Sequence, residues 1–251
     1  MAGPIAIVSA MHEELSAVLA LMPSARSVGV AGRQFWQAHW QGHQVVAVLS
    51  RIGKVAAATT ATVLIERFGS ERILFTGVAG GLGAGVQVGD LVVGSHFLQH
   101  DLDASPIFPR YEVPLYGCSS FAADVPLADC LQQAAQATLQ DLSQWIGTEA
   151  LAEFGLVRAG VHRGLIVSGD RFVSTSSEGR ALQAALPNAL AVEMEGAAVA
   201  QVCHDYGVPF AAVRSISDRA DDAAHGDFTR FVQRVACHYS AAIVSQTLLR
   251  L

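Results

Sequence analysis

The segment Pro4-Ile-Ala-Ile-Val-Ser-Ala10 is short, apolar and rich in β-branched residues, which is typical of a strand buried on both faces. The next segment, His12 to Met22, has the apolar spacing of an amphipathic helix at Leu15, Val18, Leu19 and Met22. Buried strands that alternate with helices are the building pattern of α/β proteins. This first strand and helix therefore predict the fold class of the chain.

The same alternation continues through the remaining sequence. Further predicted strands are Gln34 to His39, Val45 to Ser50, Ile73 to Thr76, Val161 to Ser168, Ala191 to Glu195 and Pro209 to Ile216. The segment Val88 to Val93 is predicted to begin another strand. Further predicted helices are Gly53 to Phe68, Leu127 to Trp145, Gly196 to Tyr206 and roughly Asp227 to Leu249. Several strands are apolar on both faces, which predicts a mostly parallel sheet covered by helices. We expect one α/β domain over residues 1–251.

Two irregular segments interrupt this pattern. Asp101 to Phe121 carries three prolines and is predicted to be a loop. Gly77 to Gly85 is a glycine cluster directly after the predicted strand Ile73 to Thr76, and it matches neither a dinucleotide fingerprint nor a P-loop. The cluster is interpreted either as a tight turn or as a backbone surface flat enough for a sugar or base to approach.

Composition argues against several classes of protein. The net charge of −6 disfavours a nucleic-acid surface, which needs a basic stripe. The N-terminus has no basic segment before its short apolar run, and no apolar stretch reaches the roughly 18 residues of a membrane span. The four cysteines form no Cys-x-x-Cys pair, so neither a metal site nor a redox motif is expected. These features predict a cytoplasmic protein without a metal or another cofactor.

Acidic residues follow several predicted strands, at the edge where parallel sheets bind ligands. Glu14 follows the first strand, Asp170 follows the strand from Val161, and Asp218 follows the last strand. Glu193 and Glu195 are two residues apart, so within a strand they share a face. Grouped carboxylates are costly unless ligands or partners use them. We expect a ligand-binding site at this edge. Glu193 and Glu195 either bind the hydroxyls of a ribose or lie at a solvated strand end.

Seven blocks of sequence carry a resemblance to known proteins. In chain order they are Ile7-Val-Ser-Ala-Met-His-Glu-Glu14, Ile52-Gly-Lys-Val-Ala-Ala57, Thr76-Gly-Val-Ala-Gly-Gly-Leu82, Val88-Gly-Asp90, Ser168-Gly-Asp-Arg-Phe172, Ala191-Val-Glu-Met-Glu-Gly-Ala197 and Val208-Pro-Phe-Ala-Ala-Val-Arg-Ser-Ile-Ser-Asp218. Together they resemble the bacterial methylthioadenosine/S-adenosylhomocysteine nucleosidases, within the purine nucleoside phosphorylase/nucleosidase superfamily. The resemblance implies a single-domain, three-layer α/β sandwich with a mixed central sheet flanked by helices, and a homodimer.

The resemblance also implies a reaction and a role for each matched residue. The reaction is hydrolysis of the N-glycosidic bond of a 5′-substituted adenosine, to adenine and a free thio-ribose. Glu14 is expected to activate the attacking water and Asp218 to protonate the purine at N7. Glu195 is expected to bind the ribose hydroxyls, with Met194 under the sugar. The other implied substrate-binding residues are Met11, Ile52, Val78, Phe172 stacked on the base, Val173 at its edge, Arg214 and Ser217 orienting Asp218, and Phe228 near the 5′ substituent.

These roles agree with the chemistry of the reaction. Cleavage of a glycosidic bond builds positive charge on the ribose and negative charge on the leaving base. One group must therefore protonate the base while another activates a water molecule on the opposite side of the sugar.

The sequence departs from the family pattern at several places. Val78 stands where these enzymes usually carry a serine, which in phosphorylases helps to hold phosphate; a valine side chain donates no hydrogen bond. The loop from His100 to Arg110 diverges after its acidic start, and the segment from about Pro126 to Leu156 is longer than in compact relatives. Since such loops shape the pocket for the 5′ substituent, the identity of that substituent stays open.

Three hypotheses about function follow. The first is a hydrolase of 5′-substituted adenosines, a class that includes futalosine hydrolase, whose substrate carries another 5′ group. The second is a phosphorolytic purine nucleoside phosphorylase, for which Arg51 is the candidate phosphate-binding cation, although a surface role for Arg51 is the alternative. The third is a nucleoside-binding protein without catalysis, against which the acid and base set argues.

Overall fold

The core of the molecule is a mixed β-sheet, seen in a computed structural model that describes residues 3–22, 24–220 and 224–251. Within these residues the strands are β1 (Ile5–Ser9), β2 (Arg26–Val30), β3 (Arg33–Trp40), β4 (His43–Leu49), β5 (Arg72–Gly81), β6 (Leu91–Gln99), β7 (Ser120–Ala122), β8 (Val161–Ser168), β9 (Ala189–Glu193) and β10 (Phe210–Asp218). Every residue of β1 and β10 is buried, as their apolar composition predicts.

The helices cover this sheet. They are α1 (His12–Ala20), α2 (Lys54–Phe68), α3 (Val125–Gln140), α4 (Leu142–Trp145), α5 (Thr148–Glu153), α6 (Ser176–Ala185), α7 (Gly196–Tyr206), α8 (Ala224–Phe231) and α9 (Cys237–Leu248). The predicted helix from Leu127 to Trp145 is thus divided at Asp141 into α3 and the short α4. The predicted final helix is confirmed, with a π-helical turn, Val232–Ala236, between α8 and α9. In the described part of the chain, no helix has the length and apolar character needed to span a membrane.

The strand pairings show which part of the predicted topology holds. The strand order is β10-β6-β8-β9-β5-β1-β4-β3-β2, with β7 beside β6. Because β10 also pairs with β5, the strands β5, β10, β6, β8 and β9 close into a ring. Among the described residues, five of the ten pairings are antiparallel, so the prediction of a mostly parallel sheet is wrong. Strands that are covered on both faces are apolar whether they run parallel or antiparallel to their neighbours. Composition therefore does not indicate the direction of a strand.

The fold implied by the resemblance is confirmed. Helices α1 and α3 pack against α9, and α2 packs against α7, so the mixed sheet is flanked by helices. Leu15 and Val18 of α1 and Leu64 of α2 are buried, as amphipathic spacing requires. The architecture is an α/β sandwich in which strand ends from several parts of the sequence meet.

Two local predictions about strand ends are wrong. β5 continues through the glycine cluster to Gly81, because Gly77 to Gly80 pair with β10 and Gly80 and Gly81 with β9. The first glycines of the cluster are therefore strand and not a tight turn. β9 ends at Glu193, so Glu195 lies beyond the strand, at the N-terminus of α7, and the two glutamates do not share a strand face.

Candidate active site

A pocket opens at the carboxyl ends of β1, β5, β8, β9 and β10. Its space, including the open mouth, is about 660 Å³, within the range of small-molecule sites. Eleven of the twelve predicted site residues line it: Met11, Ile52, Val78, Phe172, Val173, Met194, Glu195, Arg214, Ser217, Asp218 and Phe228. The twelfth, Glu14, lies behind the glycine-rich wall, where a Cβ added to Gly77 would be 3.6 Å from Glu14 Oε1.

Glu14 is a fully buried carboxyl group in the first turn of α1. The Met11 backbone N–H donates to Glu14 Oε2 at 3.2 Å, which fixes the side chain. Glu14 Oε1 is buried and has no hydrogen-bond partner among the described residues. A buried oxygen without a partner costs free energy unless a ligand or water molecule satisfies it. Glu14 Oε1 therefore lies ready to accept a hydrogen bond next to the glycine-rich wall of the pocket.

Burial raises the pKa of Glu14 from 4.5 to about 8. The positive charge of Arg214 and the Met11 N–H oppose this rise, but they do not cancel it. With a pKa of about 8, Glu14 binds and releases a proton closer to neutral pH than an ordinary glutamate does. A pKa near the working pH suits a general base.

Asp218 has a different environment from Glu14. It is the last residue of β10 and only 2% exposed. The Ser217 hydroxyl donates to Asp218 Oδ2 at 2.8 Å, and the Ala220 N–H donates to Asp218 Oδ1 at 2.8 Å. A Cβ added to Gly80 would be 3.1 Å from Asp218 Oδ1, so this glycine leaves room for the carboxyl group. Ser217 thus contacts Asp218 directly, and its role in orienting Asp218 stays a prediction.

Arg214 binds Glu193 and not Asp218, the partner that the resemblance implies. Its Nη2 donates to Glu193 Oε2 at 2.8 Å, and its Nη1 donates to the Phe75 and Val213 carbonyls. Both members of this ion pair are buried, and Glu193 also accepts hydrogen bonds from Ser168 Oγ and the Gly196 N–H. A buried pair with this many hydrogen bonds is tightly positioned. Arg214 is thereby held beside Glu14, whose pKa its charge lowers.

Glu195 lies at the rim opposite Asp218's strand, at the start of α7. The Gly53 N–H donates to Glu195 Oε1 at 2.8 Å. Burial, and then the negative charge of Glu193, raises the pKa of Glu195 to about 7. A carboxylate can accept hydrogen bonds from two neighbouring hydroxyl groups.

Apolar side chains form the remainder of the pocket. The rings of Phe172 and Phe228 meet edge to face, with centroids 5.7 Å apart, and Val173 lies beside them. These rings form an aromatic wall against which a flat base can pack. Val78 is paired in register with Ser215 and presents an apolar surface where a hydroxyl would add a donor.

Sequence reasoning did not assign a role to several residues that hold the site. Ser168 links Glu193 to the Ala197 N–H, which donates to Ser168 Oγ at 2.8 Å. Lys54 Nζ forms an ion pair of 2.6 Å with Asp101, whose other oxygen accepts from the Asp170 N–H. The position of Ser168 at the end of β8 could have indicated from the sequence that it belongs to the site. The contact of Lys54 with Asp101 joins distant segments, so no sequence signal could have indicated it. Within the described residues, no group of three His, Cys, Asp or Glu side chains is arranged to hold a metal ion.

The chain as a whole matches a family of known proteins. The model of the phosphorylase superfamily matches residues 4–248, and the chain belongs to this superfamily. Within it, the chain is similar to nucleosidases. The 5′-methylthioadenosine/S-adenosylhomocysteine nucleosidase of Shewanella baltica is 36% identical over 240 residues, which cover 96% of this chain and 94% of that protein. The enzyme of the same name from Bacillus thuringiensis is 35% identical over 244 residues and 96% of each chain.

Solved structures give the same result. The chain is similar to the 5′-methylthioadenosine/S-adenosylhomocysteine nucleosidase of Neisseria meningitidis in complex with methylthio-immucillin-A, with a TM-score of 0.86, 33% identity and coverage of 99% and 100% of the two chains. It is also similar to futalosine hydrolase of Helicobacter pylori, with a TM-score of 0.85, 30% identity and coverage of 100% and 99%. The resemblance seen in the sequence is confirmed.

The buried carboxyl group of Glu14 predicts a pH-dependent gain in stability for Glu14→Gln. Because the pKa in the folded protein, about 8, lies above the ordinary 4.5, the folded state binds the proton more tightly than the unfolded chain. Stability from the protonated group is full below pH 4.5 and is lost as the pH rises to about 8. Glutamine does not titrate, so the Tm of the variant should exceed that of the wild type at pH 8.5 and match it near pH 5.

Thermal unfolding of both proteins across this pH range, without ligand, measures the difference. A Tm difference that stays constant with pH would contradict a raised pKa for Glu14.

Proposed function

We propose that this protein hydrolyses the N-glycosidic bond of a 5′-substituted adenosine, such as methylthioadenosine or S-adenosylhomocysteine, to adenine and a free thio-ribose. The observation that carries the proposal is the pair of carboxyl groups on either side of one glycine-rich wall. Asp218 is anchored by Ser217 and the Ala220 N–H, and Glu14 offers a buried oxygen that has no partner among the described residues. The nucleosidases to which the chain is similar act on these two nucleosides by name.

In the proposed reaction, Asp218 protonates the leaving adenine at N7. Phe172 and Phe228 hold the base and the neighbouring 5′ region, while the Val173 backbone contacts the edge of the base. Protonation removes the need for the purine to leave as an anion. Ser217 and the Ala220 N–H fix the direction of the carboxyl group before substrate binds.

On the other side of the sugar, Glu14 accepts a proton from the attacking water molecule. Glu195 binds the ribose hydroxyls, and Met194 packs under the sugar. As positive charge develops on the ribose, these carboxylates stabilise it in a site from which bulk water is largely excluded. Acid and base on opposite faces are the arrangement of glycoside hydrolysis by inversion.

Hydrolysis is favoured over phosphorolysis by the lining of the pocket. Val78 offers no hydroxyl, and Arg214 is committed to Glu193. Arg51, the cation that phosphorolysis would require, lines an adjoining hollow instead of the pocket. A nucleosidase with another 5′ substituent, as in the similar futalosine hydrolase, uses the same class of reaction.

We also propose that the chain functions as one domain, in a homodimer whose proline-bearing loop near Pro106 to Pro114 helps to cover the partner's pocket. Ile107 in this loop and Leu115 directly after it are 81% and 90% exposed, which leaves apolar surface for a partner to cover. Light scattering combined with activity at the same concentration measures this; a fully active monomer would contradict it. The cytoplasmic location stays a prediction.

The first test of the reaction is the identity of the sugar product. We expect methylthioadenosine to give adenine and free methylthioribose at the same rate with and without phosphate, because Val78 offers no hydroxyl and Arg214 is paired with Glu193. Chromatography of the products distinguishes the two reactions. A sugar 1-phosphate that forms only when phosphate is added would establish phosphorolysis instead.

The second test separates the acid from the base. Asp218→Asn keeps the shape of the side chain but cannot deliver a proton to N7. It should slow cleavage of a purine nucleoside roughly 10²–10⁴-fold and leave nucleoside binding largely intact. A nitrophenyl riboside, whose leaving group needs no protonation, should lose much less.

Glu14→Gln is the matched comparison, because water activation is common to both substrates and both should slow. Steady-state kinetics of the two variants with the two substrates gives the four values needed. Equal slowing of both substrates by Asp218→Asn, or near-normal turnover of the purine nucleoside, would remove Asp218 from its proposed role.

A further inference from the structure

The first N–H groups of α2 are bound by carboxylates from two other segments of the chain. Gly53 directly precedes α2, and its N–H donates to Glu195 Oε1 at 2.8 Å. The next N–H, that of Lys54, donates to Asp170 Oδ1 at 2.7 Å. Because Gly53 has no side chain, it cannot cap the helix itself, and carboxylates from elsewhere satisfy these donors. The direction of the Glu195 carboxyl group therefore depends on how the Gly53 peptide is held.

Gly53 is in close contact with Asp170. Its φ angle is +98°, in the left-handed region that favours glycine. A Cβ added at Gly53 would lie 3.1 Å from Asp170 Oδ1, so the carboxylate occupies the space beside this residue. Gly53 is thus packed against Asp170 on one side, while its N–H is bound to Glu195.

Three residues close a ring of contacts beside Gly53. Lys54 Nζ forms an ion pair of 2.6 Å with Asp101 Oδ1, and Asp101 Oδ2 accepts from the Asp170 N–H at 2.8 Å. Asp170 Oδ1 accepts from the Lys54 N–H, which completes the ring. The members come from the start of α2, the segment after β6 and the segment after β8. Because each member is bound to the other two, the loss of one contact loosens the whole ring.

The ion pair in this ring is partly shielded from water. The side chains of Lys54 and Asp101 are 17% and 30% exposed. Burial opposes ionisation of Asp101, but the hydrogen bonds from Lys54 and from the Asp170 N–H hold its pKa below the ordinary value. Asp101 is therefore ionised at neutral pH, and salt screens this pair less than it screens a fully exposed one.

Lys54 also connects the ring to the helix that follows Glu195. Its Nζ donates to Gln99 Oε1 at 3.1 Å, and Gln99 Nε2 donates to Gln201 Oε1 at 2.8 Å. Gln201 belongs to α7, which begins directly after Glu195. One lysine side chain thus connects the start of α2, which carries the donor to Glu195, with the helix that follows Glu195.

We propose that Lys54 and Asp101 are positioning residues that hold the Gly53 N–H against Glu195 and thereby set a preference for ribose over 2′-deoxyribose. A carboxyl group fixed by one donor presents its remaining acceptor positions in a defined direction, which sugar hydroxyls can match. Neither Lys54 nor Asp101 is among the described residues that line the pocket, so both act through Gly53. This inference rests on the proposed function, because it assigns sugar selection to the same site.

The test compares methylthioadenosine with its 2′-deoxy analogue, which lacks a hydroxyl that Glu195 is proposed to bind. Lys54→Met removes the charge and keeps most of the apolar stem. It should lower kcat/KM for methylthioadenosine about tenfold relative to the analogue, as expected for a weakened hydrogen bond to a charged group. Asp101→Ala should do the same, and Lys54→Arg should restore part of the preference. The intrinsic reactivities of the two substrates are identical in every variant, so the change in their ratio reports the protein.

Arg163→Met is the matched control. Arg163 of β8 forms an ion pair with Asp129, its side chain is 28% exposed, and it is not among the residues that line the pocket. This variant should leave the ratio unchanged, even if it lowers the Tm. The double variant Lys54→Met/Asp101→Ala should change the ratio no more than either single variant, because both substitutions open the same ring.

Binding measurements separate failure of the inference from failure of the proposed function. Calorimetry with the Asp218→Asn protein, with and without Lys54→Met, measures binding of both nucleosides without turnover, and methylthioadenosine should lose more affinity than its analogue. Equal losses for the two nucleosides, or an equal change of ratio in Arg163→Met, would overturn the positioning role. Absence of cleavage of both nucleosides by the wild type would overturn the proposed function, while the calorimetric ratio would still decide the positioning role.

Discussion

The buried ion pair between Arg214 and Glu193 is the interaction on which the arrangement of the site depends. It joins β10 to the end of β9, and Ser168 extends it to β8. Removing two charges from water is costly, and only dense hydrogen bonding offsets that cost. Glu193 has such bonding from Ser168, from Arg214 and from the first N–H groups of α7. The ends of β8, β9 and β10 and the start of α7, which carry Asp218 and Glu195, are thereby fixed relative to one another.

From this frame the protein gives different chemical character to similar side chains. Burial raises the pKa of Glu14, whereas Asp218 has a hydrogen-bond donor for each oxygen. Glu195 is intermediate, with one oxygen bound to a backbone N–H and a pKa of about 7. The three carboxyl groups therefore differ in burial and in hydrogen bonding, although all three are of the same chemical type.

The fold class, most strand positions and the gathering of carboxylates could be predicted from the sequence, because burial periodicity and strand-end position are local signals. β8 was predicted to the residue and β9 was not, since Glu195 belongs to the start of α7. Strand direction and the closure of β5 with β10 depend on contacts between distant segments. The same is true of Arg214, whose sequence neighbour is Ser215 but whose partner, Glu193, is 21 residues away.

The strand-borne glycines divide the pocket into a part that tolerates variation and a part that does not. A methyl group at Gly80 would meet Asp218 Oδ1 at 3.1 Å, and one at Gly77 would approach both Glu14 and Arg214. A side chain at Gly80 would therefore crowd the proton donor, whereas exposed residues at the rim, such as Ile52 and Arg51, can change without moving Asp218 or Glu14.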